Sequence, residues 1–254
     1  MATFQQEQAR WWSYQRQHLG QTAQNAEQAV RDVIGVYSAH PSGPLSLHAR
    51  VKSFSKEHFL ALDTERNVLR IPAMRFSIHI IPRDTTHVIL AATRTTLPEY
   101  RYMLLHDLLT EDEYLRLKNM ILEIADHPMS VGEMRKMLEE EVIPLSDILK
   151  TMCREGVLLR IASKSLRSNA LQYVATTAWL GGELPFVGSD EALRWLAHEY
   201  VRAFGPVRPS DFIWWTGVPA KRALAALSTV DTVDVGDGYR LLVEDEKAFR
   251  AVSS

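Results

Sequence analysis

Two hydroxyl-x-x-Glu pairs, Thr110 with Glu113 and Ser130 with Glu133, constrain the architecture more than any other feature of this chain. In such a pair the hydroxyl accepts from the backbone N–H three residues on, and the glutamate reaches back to the cap N–H, so each pair marks a helix start. The first helix is expected to run to about Ala125 and the second through Leu138. Pro144 opens a third, because proline is well tolerated at the first helical position. There Leu145, Ile148, Leu149, Met152 and Cys153 fall at i, i+3, i+4, i+7 and i+8 and make one inward stripe. Gly156 stops this helix; VLLRI then reads as a strand, Ser163 to Asn169 as a polar turn and LQYVATTAW as a returning strand. Helix, helix, helix, hairpin is the order of a winged helix-turn-helix module.

The last third repeats that order. Glu191 to Phe204 is a helix with Leu193, Leu196, Ala197 and Tyr200 on one side. The segment GPVRPSDFIWWTGV gives a break and a short aromatic helix, and Pro219 starts another. TVDVG and YRLLVE follow as strands around a GDG turn. In the first third the pattern is less regular. Ala23 to about Ala39 reads as helix, Leu45 to Val51 and Ser55 to Leu62 as short helices, VLRIPAM and FSIHIIP as a hairpin, and Pro82 as another helix start. The expected fold is α+β and helix-dominated, in tandem winged-helix modules spanning residues 1–105, 106–183 and 184–254.

Charge narrows the partners. The net charge of -2 argues against a uniformly basic nucleic-acid footprint. The cations are segregated, however: from Gly43 to Arg101 nine Lys/Arg face five Asp/Glu, whereas Asp231 to Glu246 holds six acids and one Arg. The last hairpin, with Asp231, Asp234 and Asp237, is therefore a poor phosphate contact and reads as structural. Lys150, Arg154, Arg160, Lys164 and Arg167 fall on the solvated side of the third middle helix and along the hairpin after it, where a phosphate backbone could meet them; a plain solvated face explains the same spacing.

Other chemistry is missing. There is no G-x-x-x-x-G-K-[ST], G-x-G-x-x-G or G-x-S-x-G, the nine histidines lack metal spacing, and Cys153 is the lone cysteine, so no internal disulfide, metal site or cofactor is expected. No apolar run is long enough to span a membrane and the start shows no apolar leader core, which fits a cytoplasmic protein. Trp11-Trp12 and Trp214-Trp215 are read as core packing.

Three segments together carry a resemblance: VIGVYSAHPSGPLSLHARV at 33–51, LRIPAMRFSIHIIP at 69–82 and AFGPVRPSDFIWWTGV at 203–218. They resemble the winged-helix DNA glycosylases of the azinomycin-resistance and crosslink-repair type, the AlkZ/YcaQ-like family. The second segment is similar to the family's Met-Arg-x-Thr-x-His-x-x-Pro stretch with Ser77 for Thr, the third to its Phe-Gly-Pro…Asp-x-x-x-Trp-x-Gly block. The resemblance implies three winged helices cradling double-stranded DNA and hydrolysis of the N-glycosidic bond of alkylated or crosslinked bases. From the charge distribution, phosphate contacts are expected from Arg50, Lys52, Arg75 and Arg83 in the basic first module, with His79 also placed at the DNA, and from Lys150, Arg154, Lys164 and Arg167 in the second. The resemblance also implies a longer protein, since members commonly continue into a C-terminal barrel; the stop after YRLLVEDEKAFRAVSS reads as a short form or a piece.

The family orients its water with a Gln-x-Gln or Gln-x-Asp pair. Matching the Asp-Pro that follows it to His40-Pro41 puts Tyr37 and Ala39 at the two catalytic positions. Tyr37 can hydrogen-bond a water but is a weak base at neutral pH, and Ala39 can do neither. His40, ordinary pKa about 6.5, precedes a proline and is pushed toward the loop, so Tyr37 and His40 are the candidate catalytic residues, although an ordinary loop histidine explains His40 as well. Two readings stay open: a glycosylase with an altered active site, and a catalytically silent DNA-binding or regulatory protein of the same fold.

Overall fold

The computed structural model describes residues 6–39, 41–95, 97–138, 144–162 and 170–252. Helix α1 (Gln6–Arg16), absent from the sequence reading, lies against the other end of the chain. Its Trp12 meets Phe249 edge-on at 5.7 Å, Gln8 Nε2 donates to the Phe249 carbonyl at 2.8 Å, and Arg16 pairs with Asp245.

The helix expected from Ala23 to about Ala39 is much shorter. Asn25 caps α2 (Ala26–Asp32), which ends at Val33 and gives way to β1 (Val36–Tyr37). Ile34 turns to φ 68, and a Cβ on Gly35 would lie 2.3 Å from Ile81 Cδ1, so the chain changes direction hard against the sheet and then pairs with it. Tertiary pairing overrides helical pattern here. Helix α3 (Ser42–His48) begins three residues earlier than expected, and α4 (Lys56–Thr64) starts at a capping box closed by Ser55 and His58. The hairpin of β2 (Val68–Pro72) and β3 (Ile78–Pro82) forms as expected, followed by a 3-10 turn at Arg83–Thr85 and α5 (Thr86–Thr93).

In the middle third a short α6 (Arg101–Leu105) precedes α7 (Glu111–Ile124) and α8 (Val131–Met137), both opened by the expected capping boxes. Helix α9 (Leu145–Glu155) buries Leu145, Ile148, Leu149, Met152 and Cys153 completely. Each large aliphatic among them contributes about 1.5–3 kcal/mol of burial free energy, and packing of this stripe holds the third helix in place. Burial also pushes the Cys153 thiol up to about 11, so it stays a neutral core group. Gly156 ends α9 at φ 78, and β4 (Leu158–Ala162) and β5 (Leu171–Ala175) return. The returning strand stops at Ala175: Thr176–Leu180 is α10, not strand, because Thr176 is buried with its hydroxyl on the Gly156 carbonyl (2.6 Å), turning the chain off the sheet. The polar turn expected at Ser163 to Asn169 lies outside the described residues.

The last third follows as α11 (Ser189–Phe204), α12 (Pro209–Thr216), α13 (Ala220–Leu227), β6 (Thr232–Asp234), β7 (Arg240–Leu242) and α14 (Glu246–Arg250). The aromatic residues of this part are largely core, as expected: Tyr200 packs on Phe204, Phe212 and Trp215 with ring centroids 4.9–5.1 Å apart.

Strand order decides how the thirds meet. One antiparallel sheet runs β1-β3-β2-β4-β5, so the first hairpin and the second share it; β6 and β7 form a separate pair. The join is narrow, a single pairing of Arg70 with Arg160 between β2 and β4. One face of the first hairpin (Val36, Val68, Ile80) packs under α2 and α4; the other (Leu69, Ile71, Ile81) meets α5 and α11 in a core that also takes Leu159, Val174, Phe212 and Val218. Arg160, expected on the solvated side, is buried, since β4 lies inside this sheet and both its faces are covered.

The candidate active corner and nucleic-acid face

Strand pairing brings Tyr37 to His79. Val36 opposes Ile80 and Tyr37 opposes His79, and because side chains alternate across a strand, the first pair enters the core while the second stands on the opposite face. The two rings sit edge to face with centroids 6.0 Å apart, and Tyr37 is 48% exposed. His79 Nδ1 lies 2.9 Å from the Ser77 carbonyl, which can only accept, so Nδ1 carries the proton and Nε2 the lone pair. Burial holds the His79 pKa below its usual value, against the opposing effect of that hydrogen bond, and keeps the ring neutral near pH 7.

The segment after Tyr37 is pinned from below. Ser38 N–H donates to the Ile78 carbonyl (2.8 Å), and its hydroxyl accepts from Arg70. Arg70 is 2% exposed and holds Asp63 with two bonds of 2.8 Å each, its guanidinium 5.3 Å over the Phe59 ring. A charge buried so deeply is tolerated only because it is paired and hydrogen-bonded on both prongs. Gly43 completes the corner: its N–H donates to the Ala39 carbonyl (2.9 Å), and a Cβ there would sit 3.2 Å from the Tyr37 carbonyl oxygen and 3.3 Å from that of Ser38. Ala39 presents only a methyl. His40 lies outside the described residues.

The turn between β2 and β3 is the second element of this face. Ser77 N–H bonds the Met74 carbonyl (3.1 Å) across Arg75 and Phe76, whose φ angles are 53° and 57°. Left-handed backbone at two consecutive non-glycine residues costs about 1–2 kcal/mol each. Arg75 is gripped by the last third of the chain: it donates to the Trp214 carbonyl at 3.1 Å, lies 4.8 Å over the Trp214 ring, and backs onto Gly217, where a Cβ would come within 3.2 Å of Arg75 Cα. Arg154 of α9 lies 4.5 Å over the Phe76 ring. Phe76 and Trp214 are 48% and 66% exposed. Trp214 thus departs from the expected packing role, while Trp12 keeps it.

The remaining candidates are dispersed. Arg50 is partly withdrawn, bonded to the Ser46 carbonyl and hydroxyl at 2.9 and 2.8 Å, and burial lowers its pKa. Lys52 is exposed; Arg83 is exposed and reaches the Leu180 carbonyl at 3.4 Å; Lys150 is exposed and 3.0 Å from Asp147. Lys164 and Arg167 lie outside the described residues. In the last hairpin Asp231, Asp234 and Asp237 are all exposed. Among the described residues no group of His, Cys, Asp and Glu could hold a metal ion, and no helix is long and apolar enough to cross a membrane.

The sequence reading missed the Asp63–Arg70 pair and the meeting of Tyr37 with His79, which it assigned to the DNA contacts. One signal for the first was available, a lone arginine in the apolar run VLRIP, since a charge at the centre of a buried strand demands a partner.

A family model described as DNA glycosylase AlkZ-like matches residues 30–253. A solved structure, Streptomyces sahachiroi DNA glycosylase AlkZ, superposes with a TM-score of 0.79 over 99% of this chain and 73% of that one, at 19% sequence identity, a likeness that speaks for the fold. No curated protein matches.

Proposed function

This chain belongs to the AlkZ-like DNA glycosylase family, and from that premise we propose that it binds double-stranded DNA through tandem winged-helix modules and hydrolyses the N-glycosidic bond of an alkylated or crosslinked base. The modules are residues 1–105, 106–183 and 184–254. The order α7, α8, α9, β4, β5, repeated as α11, α12, α13, β6, β7, supports the last two, and α2 to α4 with the β2–β3 hairpin supports the first. Arg50, Lys52, Arg75, Arg83, Lys150, Arg154, Lys164 and Arg167 are the cations assigned to phosphate. His79, held neutral, serves the reaction instead.

The observation that carries the enzymatic reading is the Tyr37–His79 pair, ring centroids 6.0 Å apart, in which the half-exposed Tyr37 occupies the place that the resemblance gives to one of the family's two water-orienting residues. As the glycosidic bond breaks, the sugar becomes oxocarbenium-like, and a water must be held at its carbon while losing a proton. The Tyr37 hydroxyl holds the water, the Nε2 lone pair of His79 accepts the proton, and His40, two residues after Ser38 in the sequence, is the second base available. Asp63 and Arg70 act only through Ser38, as positioning residues.

A catalytically silent DNA-binding protein is the second reading, and Ala39 favours it, because half of the family's polar pair is a methyl group here. In either case the protein is assigned to the cytoplasm. Incubation with N7-alkylated or crosslinked duplex, followed by strand scission at abasic sites, separates the two. The enzymatic reading expects scission by the wild type and a loss of roughly 10²- to 10⁴-fold in His79→Gln or His40→Ala with DNA affinity kept. Binding without any base release selects the silent reading; full activity in both variants removes these histidines from the site.

A further inference from the structure

The turn between β2 and β3 carries a strain that hairpin formation does not require. Two-residue turns with both central residues left-handed are normally filled by Asn-Gly or Gly-Gly, and a bulky side chain at positive φ is an outlier. Arg75 and Phe76 occupy these positions at φ 53° and 57°. Such residues persist where the surroundings over-determine them, and they cluster at ligand clamps. The surroundings do so here from two directions: Trp214 and Gly217 hold Arg75, and Arg154 covers the Phe76 ring at 4.5 Å.

Core packing does not explain the arrangement, because Phe76 leaves nearly half of its surface in solvent. What the strain secures is a fixed, half-exposed aromatic side chain on a rigid turn, with the Arg154 guanidinium over its ring and Arg75 preceding it in the chain. Arg75 spends one donor on the Trp214 carbonyl, and an arginine has five. From Phe76 the strand continues to His79 beside Tyr37, so at about 3.3 Å per residue the turn stands roughly 10 Å from the candidate active corner. That spacing is a few base steps.

We infer that the Arg75–Phe76 turn is a wedge whose Phe76 ring enters the base stack of duplex DNA at the gap a displaced nucleotide leaves, while Arg75 and Arg154 meet the phosphates beside that gap. The inference rests on the DNA-binding reading given above. Extruding a nucleotide costs stacking, and an apolar or aromatic side chain filling the vacancy offsets that cost. Flanking cations suit a polyanionic partner and would not be needed for an apolar protein surface.

The test measures binding to two duplexes of one sequence, one intact and one with a tetrahydrofuran abasic analogue, at fixed salt. A 2-aminopurine beside the analogue reports the stack. Phe76→Ala should weaken binding to the abasic-analogue duplex by roughly 5- to 100-fold, the range of one lost aromatic–base stack, and abolish the 2-aminopurine fluorescence change seen with wild type. Binding to the intact duplex should fall less than about threefold, since phosphate contacts dominate there. Phe76→Trp should restore both signals. Phe76→Gly should show the same binding loss with an unchanged or higher Tm, because glycine relieves the left-handed backbone, and this separates the wedge from a folding defect. Equal losses on both duplexes, or none, would overturn the wedge while leaving DNA binding intact. Absence of wild-type binding to either duplex would overturn the DNA reading itself, before any variant is made.

Discussion

The first and last hairpins reverse the chain by similar backbone routes at different cost. Between β6 and β7 the turn uses Gly236 (φ 120°), Asp237 (φ 53°) and Gly238 (φ 77°), residue types that enter left-handed backbone readily, and a Cβ at Gly238 would meet nothing within 4 Å. Asp234 closes that turn locally, its carboxylate accepting from Gly236 N–H at 2.8 Å. Between β2 and β3 the same job falls to Arg75 and Phe76, held by residues from two other parts of the chain. The acidic last hairpin is locally determined and stands apart from the larger sheet. The first hairpin is globally determined, lies next to Tyr37, and keeps the cation and the aromatic of its turn, Arg75 and Phe76, at the surface. A turn built against its own preference is fixed here by distant contacts, whereas the turn built from glycine and aspartate is closed by local ones.

The largest expected effect breaks the support under the first hairpin. Asp63→Ala or Arg70→Ala strands a buried charge and should cost about 3–5 kcal/mol in urea unfolding. Asp234→Ala, in the exposed turn of the last hairpin, should cost no more than about 1 kcal/mol. Similar costs for the three variants would remove the contrast. The apolar double variant Asp63→Leu with Arg70→Met should recover much of the loss, because neither charge is then left unpaired.

Next in size are the two glycines behind the turns. Both Gly217 and Gly238 are left-handed, so alanine costs roughly 1 kcal/mol at either from the backbone alone. At Gly217 the new methyl also lies 3.2 Å from Arg75 Cα and must push the strained turn. Gly217→Ala should therefore lower Tm more than Gly238→Ala and weaken the Arg75 contact to Trp214. The reverse order in thermal melts would show that the third part of the chain does not hold this turn.

Charge sharpens the comparison in DNA binding. Arg75→Glu and Arg154→Glu should each reduce the slope of log affinity against log salt by roughly one unit, as should reversal at Arg50, Lys52 or Lys164. Asp237→Asn in the last hairpin should leave the slope unchanged. A wild-type affinity that is flat from low to high salt would discard the phosphate assignments altogether.

The smallest effect is one of pH. Burial lowers the His79 pKa in the folded protein below its ordinary value of about 6.5. The neutral ring thus contributes its full stability above about pH 6.5, and that contribution is lost as pH falls and the unfolded chain takes up the proton first. His79→Phe should flatten the wild-type decline in stability below pH 6.5. An identical pH dependence in both proteins would mean that His79 titrates as it does in the unfolded chain.

Much of the scaffold was legible in advance, for a definite reason. Thr110 with Glu113, Ser130 with Glu133, the α9 stripe, Gly156 and the GDG turn all act within a few residues of themselves, and each sits where local chemistry placed it. Family membership was likewise readable from three short segments. Expectations failed where distant partners intervened. The helix through Ala39 gave way to β1 because β3 offered Val36 and Tyr37 a strand to pair with, and the strand through TTAW gave way to α10 because Thr176 found the Gly156 carbonyl.

The candidate site divides along the same line. Its residue types, Tyr37, His79, Arg75 and Trp214, are present in the sequence, but their neighbours are set by strand register and by contacts such as that from Arg75 to the Trp214 carbonyl, 139 residues away. So are the pairing of Arg70 with Asp63 and the burial of Arg160 within a sheet shared by two hairpins. Local sequence determined which elements form, because caps, stops and periodic stripes involve bonds within a turn or two of helix. Only the tertiary structure decided which side chains meet and which histidine is held neutral, because desolvation and pairing depend on the packing of segments that no short window contains.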